Sequence, residues 1–213
     1  MTDVTDALDP REIPAGTRTR LVQELVARQR GLVGADEVER IVTDSWDRLA
    51  GPARITTYLP VLTRRLAVER VDSLARTRGG GRRGVPQVLF LCVHNAGRSQ
   101  MAAALLQHHA LGRIDVRSAG SAPSSTLNPA VVASLAQVGI SLEEAFPKPV
   151  TDEVARAADV VVSMGCGDAC PLSPGTRYLE WDLPDPDGLD VDDVAPIRDE
   201  IDRRVRALLA ELT

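Results

Sequence analysis

The chain has 213 residues, a net charge of −5 and 44% apolar residues. That length predicts one large domain or two smaller ones, and the composition is that of a globular rather than a disordered chain. The negative charge argues against a general nucleic-acid binder. No apolar run is long enough for a transmembrane helix, and the acidic start lacks the apolar segment of a signal peptide. The expectation is therefore a cytoplasmic protein with no membrane or nucleic-acid partner.

Residues 1–16 read as a loose tail containing Pro10 and Pro14. Residues 17–78 read as a three-helix bundle. Leu21, Val22, Leu25 and Val26 mark the first helix. Val38, Ile41, Val42, Trp46 and Leu49 mark the second, over about 35–50. A third helical stretch spans about 53–76, where Ile55, Leu59, Leu62, Leu66, Val71 and Leu74 recur at helical spacing. Pro60 is expected to kink or split it. Residues 79–85, rich in Gly and Arg, read as a flexible linker.

From residue 86 the pattern changes. Gln87 to Leu91 is a continuous apolar run, as in a strand buried on both faces of a parallel sheet. A helix is predicted over 98–111 with Met101, Ala104, Leu105 and His108 on one face. A strand follows over 114–118, then a helix over 129–138 with Asn128 as its N-cap and Pro129 at its first position. A short helix over 152–158, a buried strand over 159–164 and a strand over 176–183 come next. The chain closes on an amphipathic helix carrying Val194, Ile197, Ile201, Val205 and Leu208. This alternation predicts an α/β domain over 86–213. Ligands of such sheets lie at the carboxyl ends of the strands.

The residues that carry chemistry sit at one such strand end. Cys92 closes the first buried strand, Val93, His94, Asn95, Ala96 and Gly97 follow, and Arg98 and Ser99 open a helix. A loop of that length at a helix N-terminus points successive N–H groups inward and forms a cradle for a tetrahedral oxyanion. Gly97 permits close backbone approach. Arg98 offers a planar fork for two oxyanion oxygens. The helix terminus and Arg98 favour a thiolate at Cys92, and Ser99 can donate a hydrogen bond to it. The alternative for Cys92 and Arg98 is a packing cysteine beside a surface ion pair.

Two further elements lie beyond later strands. Cys166 and Cys170 are four apart, so a helical segment would bring their Cα atoms within about 6 Å, inside disulfide range. A redox pair is preferred over two packing cysteines or half of a metal site, because the four ligands of a zinc site are not grouped here. No metal is expected. Asp182, Asp185 and Asp187 lie on a Pro-framed loop, and each is a candidate to protonate a leaving oxygen or is simply a solvated acid.

Together these elements resemble the arsenate reductases built on the low-molecular-weight tyrosine phosphatase fold. The resemblance covers residues 86–213 and implies a flavodoxin-like, four-stranded parallel sheet with helices on both faces. It implies that Cys92 is the nucleophile in an oxyanion loop of residues 93–99, Asp185 the general acid, and Cys166 and Cys170 the resolving cysteines. Arsenate would be the substrate and phosphate a competitor. No bound cofactor is implied, only an external thiol reductant. That donor would be a thioredoxin-like protein or, if Cys92 alone acts, mycothiol with a mycoredoxin. The departures are a short gap between the resolving cysteines, Ala103 where an acid can hold potassium, and the absence of a loop cysteine and of a tyrosine after Asp185-Pro186. The last two argue against a protein phosphatase, which is the remaining enzymatic alternative. The helical unit resembles one fused to some actinobacterial members. Its expected roles are homodimerisation or partner binding, and a non-enzymatic alternative is an oxyanion or redox sensor.

Overall fold

The computed structural model describes residues 12–51, 53, 56–82, 84–165 and 173–213. The chain divides into two compact units, residues 1–81 and 82–213.

The first unit holds three helices: α1 (Ala15–Gln29), α2 (Ala35–Ala50) and α3 (Leu59–Thr77). α1 begins inside the stretch expected to be a tail. It ends where Arg30 and Gly31 take positive φ (51° and 87°) and turn the chain back. Leu25, Val38, Val42, Ala67 and Val71 form the centre of the bundle, each fully buried. Arg70 is buried among them. Its guanidinium donates to the Asp44 carboxylate at 2.6 Å and to Ser45 Oγ at 2.9 Å, which fixes α3 against α2. Pro60 does not kink the third helix. α3 starts at Leu59, so Pro60 occupies its first turn, where its missing N–H costs nothing. Pro52 and Ile55 lie outside the described residues.

The second unit is built on strands β1 (Gln87–Cys92), β2 (Asp115–Gly120), β3 (Val160–Ser163) and β4 (Arg177–Glu180). They form one parallel sheet in the order β2-β1-β3-β4. The connecting helices are α4 (Arg98–Ala110), α5 (Pro129–Ala136) and α6 (Asp152–Ala157), and α7 (Val191–Leu212) closes the chain. The strand alternation explains the unbroken apolar run of β1. Val88, Phe90 and Cys92 face a core shared with α4, α5 and α7, while Leu89 and Leu91 face α6. Cys92 thus emerges on the α4 side, at the carboxyl end of the central strand.

Several boundaries move. β2 runs to Gly120, two residues beyond the expected end, and pairs Gly120 with Cys92. β3 and β4 are shorter than expected, and α5 ends at Ala136. On α4 the half-buried histidine is His109, not His108. His109 Nε2 lies 2.6 Å from Asp202 on α7, and His108 is exposed. Anchoring Arg98 and Ser99 at the helix start fixes the rotation of α4 and sends His108 outward. Among the described residues no helix is long and apolar enough to cross a membrane.

Exposed ion pairs reinforce both units. The Arg78 guanidinium, with help from the Gly34 N–H, holds the Glu37 carboxyl down at about 2. Arg203 and Arg204 hold that of Glu200 at about 2. Lowered carboxyls stabilise the fold above their unfolded value of 4.5, and the contribution disappears as pH falls toward 2. Urea midpoints should therefore drop between pH 4.5 and 3, and less steeply in a Glu37→Gln/Glu200→Gln variant. High salt should weaken the difference, because the pairs are solvent-exposed.

Candidate active site

The loop between β1 and α4 is held from outside by its carbonyl groups. The carbonyls of Cys92, Val93, His94 and Ala96 accept from the N–H groups of Ser121, Ala122, Ser124 and Asn128, at 2.9 to 3.2 Å. The Asn95 carbonyl accepts from the Gln100 side chain at 3.0 Å. In a trans peptide the carbonyl of one residue and the N–H of the next point in opposite directions. Turning these five carbonyls outward therefore turns the N–H groups of residues 93–97 inward, over the α4 N-terminus.

Asn95 is the centre of the loop. It is fully buried and sits at φ 48°, a left-handed conformation that Asn tolerates better than most residues. Its Oδ1 accepts from the Lys148 backbone N–H at 3.0 Å and from Gln100 Nε2 at 3.1 Å. A backbone N–H can only donate, so the amide orientation is fixed. Its Nδ2 then donates to Ser99 Oγ at 2.9 Å. The Ser99 hydroxyl hydrogen is then free to turn to the Cys92 sulfur, 2.9 Å away, when that sulfur is a thiolate. The Asn95 N–H reaches the same sulfur at 3.2 Å. Two donors aimed at one buried sulfur suit a thiolate.

Opposite this cradle lies the loop that carries the candidate acids. Arg98 Nη2 donates to Asp185 Oδ2 at 2.6 Å, and Nη1 donates to the Leu183 carbonyl at 3.4 Å. Asp185 Oδ1 accepts from the Asp187 N–H at 3.2 Å. Asp185, Asp187, Cys92, His94 and Arg98 line one cavity of about 240 Å³. Asp182 is exposed and is not among its lining residues. Cys166 and Cys170 lie outside the described residues. Among the described residues no group of three or more His, Cys, Asp or Glu could hold a metal ion.

Four contributors had no functional reading in the sequence. Gln100 and the Lys148 backbone orient Asn95. Asn128 reads as a helix cap only, yet its amide also reaches the Pro186 carbonyl at 3.1 Å. Gly120 reads as an ordinary glycine after a strand. A Cβ there would lie 2.5 Å from the Val93 carbonyl oxygen and 2.9 Å from the Asn95 nitrogen. The only sequence signal for it is a glycine where the neighbouring strand meets the loop.

These features define a cysteine-based oxyanion site of the phosphatase type, and the chain belongs to the low molecular weight phosphotyrosine protein phosphatase family, whose pattern matches residues 87–213. Residues 19–75 match the protein-tyrosine-phosphatase-like N-terminal domain. Along both units the chain is similar to a thioredoxin-dependent arsenate reductase of Corynebacterium glutamicum. The two are 42% identical with a TM-score of 0.83, over 94% of this chain and 98% of that one. A glutaredoxin arsenate reductase of Synechocystis is 33% identical over 60% of this chain and 98% of its own length. A solved arsenate reductase in the phosphate binding state is 31% identical with a TM-score of 0.55, over 61% of this chain and 100% of its own.

Gly120 gives a test of the cradle. The two nearest atoms its Cβ would meet are backbone, so relief requires moving the loop, at about 1–3 kcal/mol. Gly120→Ala should weaken inorganic phosphate binding about tenfold or more by titration calorimetry. Gly16→Ala, where a Cβ would meet nothing within 4 Å and φ is not positive, should leave phosphate binding unchanged.

Proposed function

We propose that the protein reduces arsenate to arsenite through a covalent adduct on Cys92. The observation that carries this reading is the buried Cys92 sulfur beneath a ring of inward N–H groups, with Arg98 at its mouth. The likeness to the reductase of Corynebacterium glutamicum, which extends over both units, supports arsenate as the substrate and a thioredoxin-like protein as the external reductant.

Arsenate enters with its oxygens toward the loop N–H groups and the Arg98 fork. The Cys92 thiolate attacks arsenic. A sulfur–arsenic bond forms, an arsenic–oxygen bond breaks, and Asp185 supplies the proton with which that oxygen leaves as water. Arg98 has to release Asp185 as the oxyanion takes its place. Cys166, as thiolate, then attacks the Cys92 sulfur. The sulfur–arsenic electron pair passes to arsenic, which leaves as arsenite. Cys170 attacks Cys166 and frees Cys92, and the Cys166–Cys170 disulfide is reduced from outside. Phosphate has the same shape and charge, so it competes.

Arsenite formation with thioredoxin, its reductase and nicotinamide reductant tests this reading. Cys92→Ser should abolish turnover. Asp185→Asn should slow it about 10²-fold or more. Cys166→Ala and Cys170→Ala should each stop thioredoxin-driven turnover. Undiminished turnover by both of these variants with a small thiol such as mycothiol would replace the relay with a single-cysteine route. Sustained phosphate-ester hydrolysis without arsenate turnover would replace the reductase with a phosphatase.

A further inference from the structure

Two clamps hold the loop that carries Asp185. One is Arg98, through the Asp185 carboxylate and the Leu183 carbonyl. The other is Asn128, at the N-terminus of α5. Its Oδ1 accepts from the N–H groups of Ala130 and Val131, at 2.9 and 3.2 Å. Those two donors fix the orientation of its amide, so Nδ2 faces away from the helix and donates to the Pro186 carbonyl. Its backbone N–H donates to the Ala96 carbonyl at 3.0 Å. One residue therefore joins the oxyanion loop, the α5 terminus and the residue after Asp185. The same two loops meet at Gly97, where a Cβ would lie 2.7 Å from Pro186 Cγ.

The two clamps differ when the site fills. An oxyanion occupying the Arg98 fork displaces Asp185 from it, because both are anions using the same donors. Asn128 makes no such bond to the carboxylate and has no reason to let go. From this we infer that Asn128 is the positioning residue for Asp185 in the loaded site, holding the acid over the leaving oxygen once Arg98 has turned to the substrate. The inference rests on the reading of Asp185 as general acid. It assigns Asn128 a function beyond capping, which Ser or Thr would perform as well.

The test is a double-mutant cycle on the full chain. Asn128→Ser and Asn128→Thr keep an N-cap oxygen and remove the donor that reaches Pro186. Each should lower kcat for arsenate about tenfold to a hundredfold, the cost of a misplaced catalytic group. Inhibition by inorganic phosphate should change less than about twofold, since the cradle and Arg98 are intact, and thermal melting should show both variants folded. In an Asp185→Asn background neither substitution should slow turnover further, because no acid remains to be positioned. An equal loss in both backgrounds, or a parallel loss of phosphate binding and turnover, would overturn the inference and leave Asn128 a structural cap. Undiminished turnover by Asp185→Asn alone would instead overturn the general-acid reading, and the inference with it.

Discussion

The site depends on one buried side chain held in an uncommon backbone conformation. Asn95 sits at positive φ, and its amide is oriented by donors from Gln100 and from the Lys148 backbone. Because its oxygen is taken, its nitrogen donates to Ser99, whose hydroxyl hydrogen remains available to a Cys92 thiolate. The sulfur thus sits at the end of a chain of buried hydrogen-bonding groups. The left-handed turn at Asn95 also curls the loop, so the same residue shapes the cradle and supplies a backbone donor to the Cys92 sulfur. A buried polar network of this kind is effective only when every member is satisfied. Here segments remote in sequence satisfy it: 121–128 binds the outward carbonyls, and 146–148 braces Asn95 and Gln100.

Much of this fold is legible in the sequence because its signals are local. The apolar run of β1, the Asn128-Pro129 helix start and the 3.6-residue spacing of Val194, Ile197, Ile201, Val205 and Leu208 each depend on neighbours only. So does the span from Cys92 to Arg98, since a strand end, a tight loop and a helix start are contiguous. What escapes is non-local. The second bond of Asn128 goes to a carbonyl 58 residues away, and the need for glycine at 120 arises from a loop on the adjacent strand. His108 and His109 are adjacent and lie about 100° apart around α4, so which of them meets α7 depends on the rotation of the helix. That rotation is decided at the other end of the helix, by Arg98 and Ser99. Pro60 is ambiguous for a simpler reason: its effect depends on where the helix begins, and helix starts are weakly encoded when no side-chain cap precedes them.

The placement of Asp185 links the two sides of the cavity. Its carboxylate rests on Arg98, so the positive group is oriented by an internal anion. In the proposed reaction, substrate exchanges one anion for another at that fork, which limits the reorganisation required on binding.

The proposed relay passes two electrons from Cys166 and Cys170 to arsenic by way of Cys92. It is tested most directly by a single turnover of fully reduced protein mixed with arsenate and no external reductant, with arsenite counted and disulfides mapped by mass spectrometry. The account predicts one arsenite per chain and a disulfide joining Cys166 to Cys170. Three intact thiols and no arsenite would contradict it.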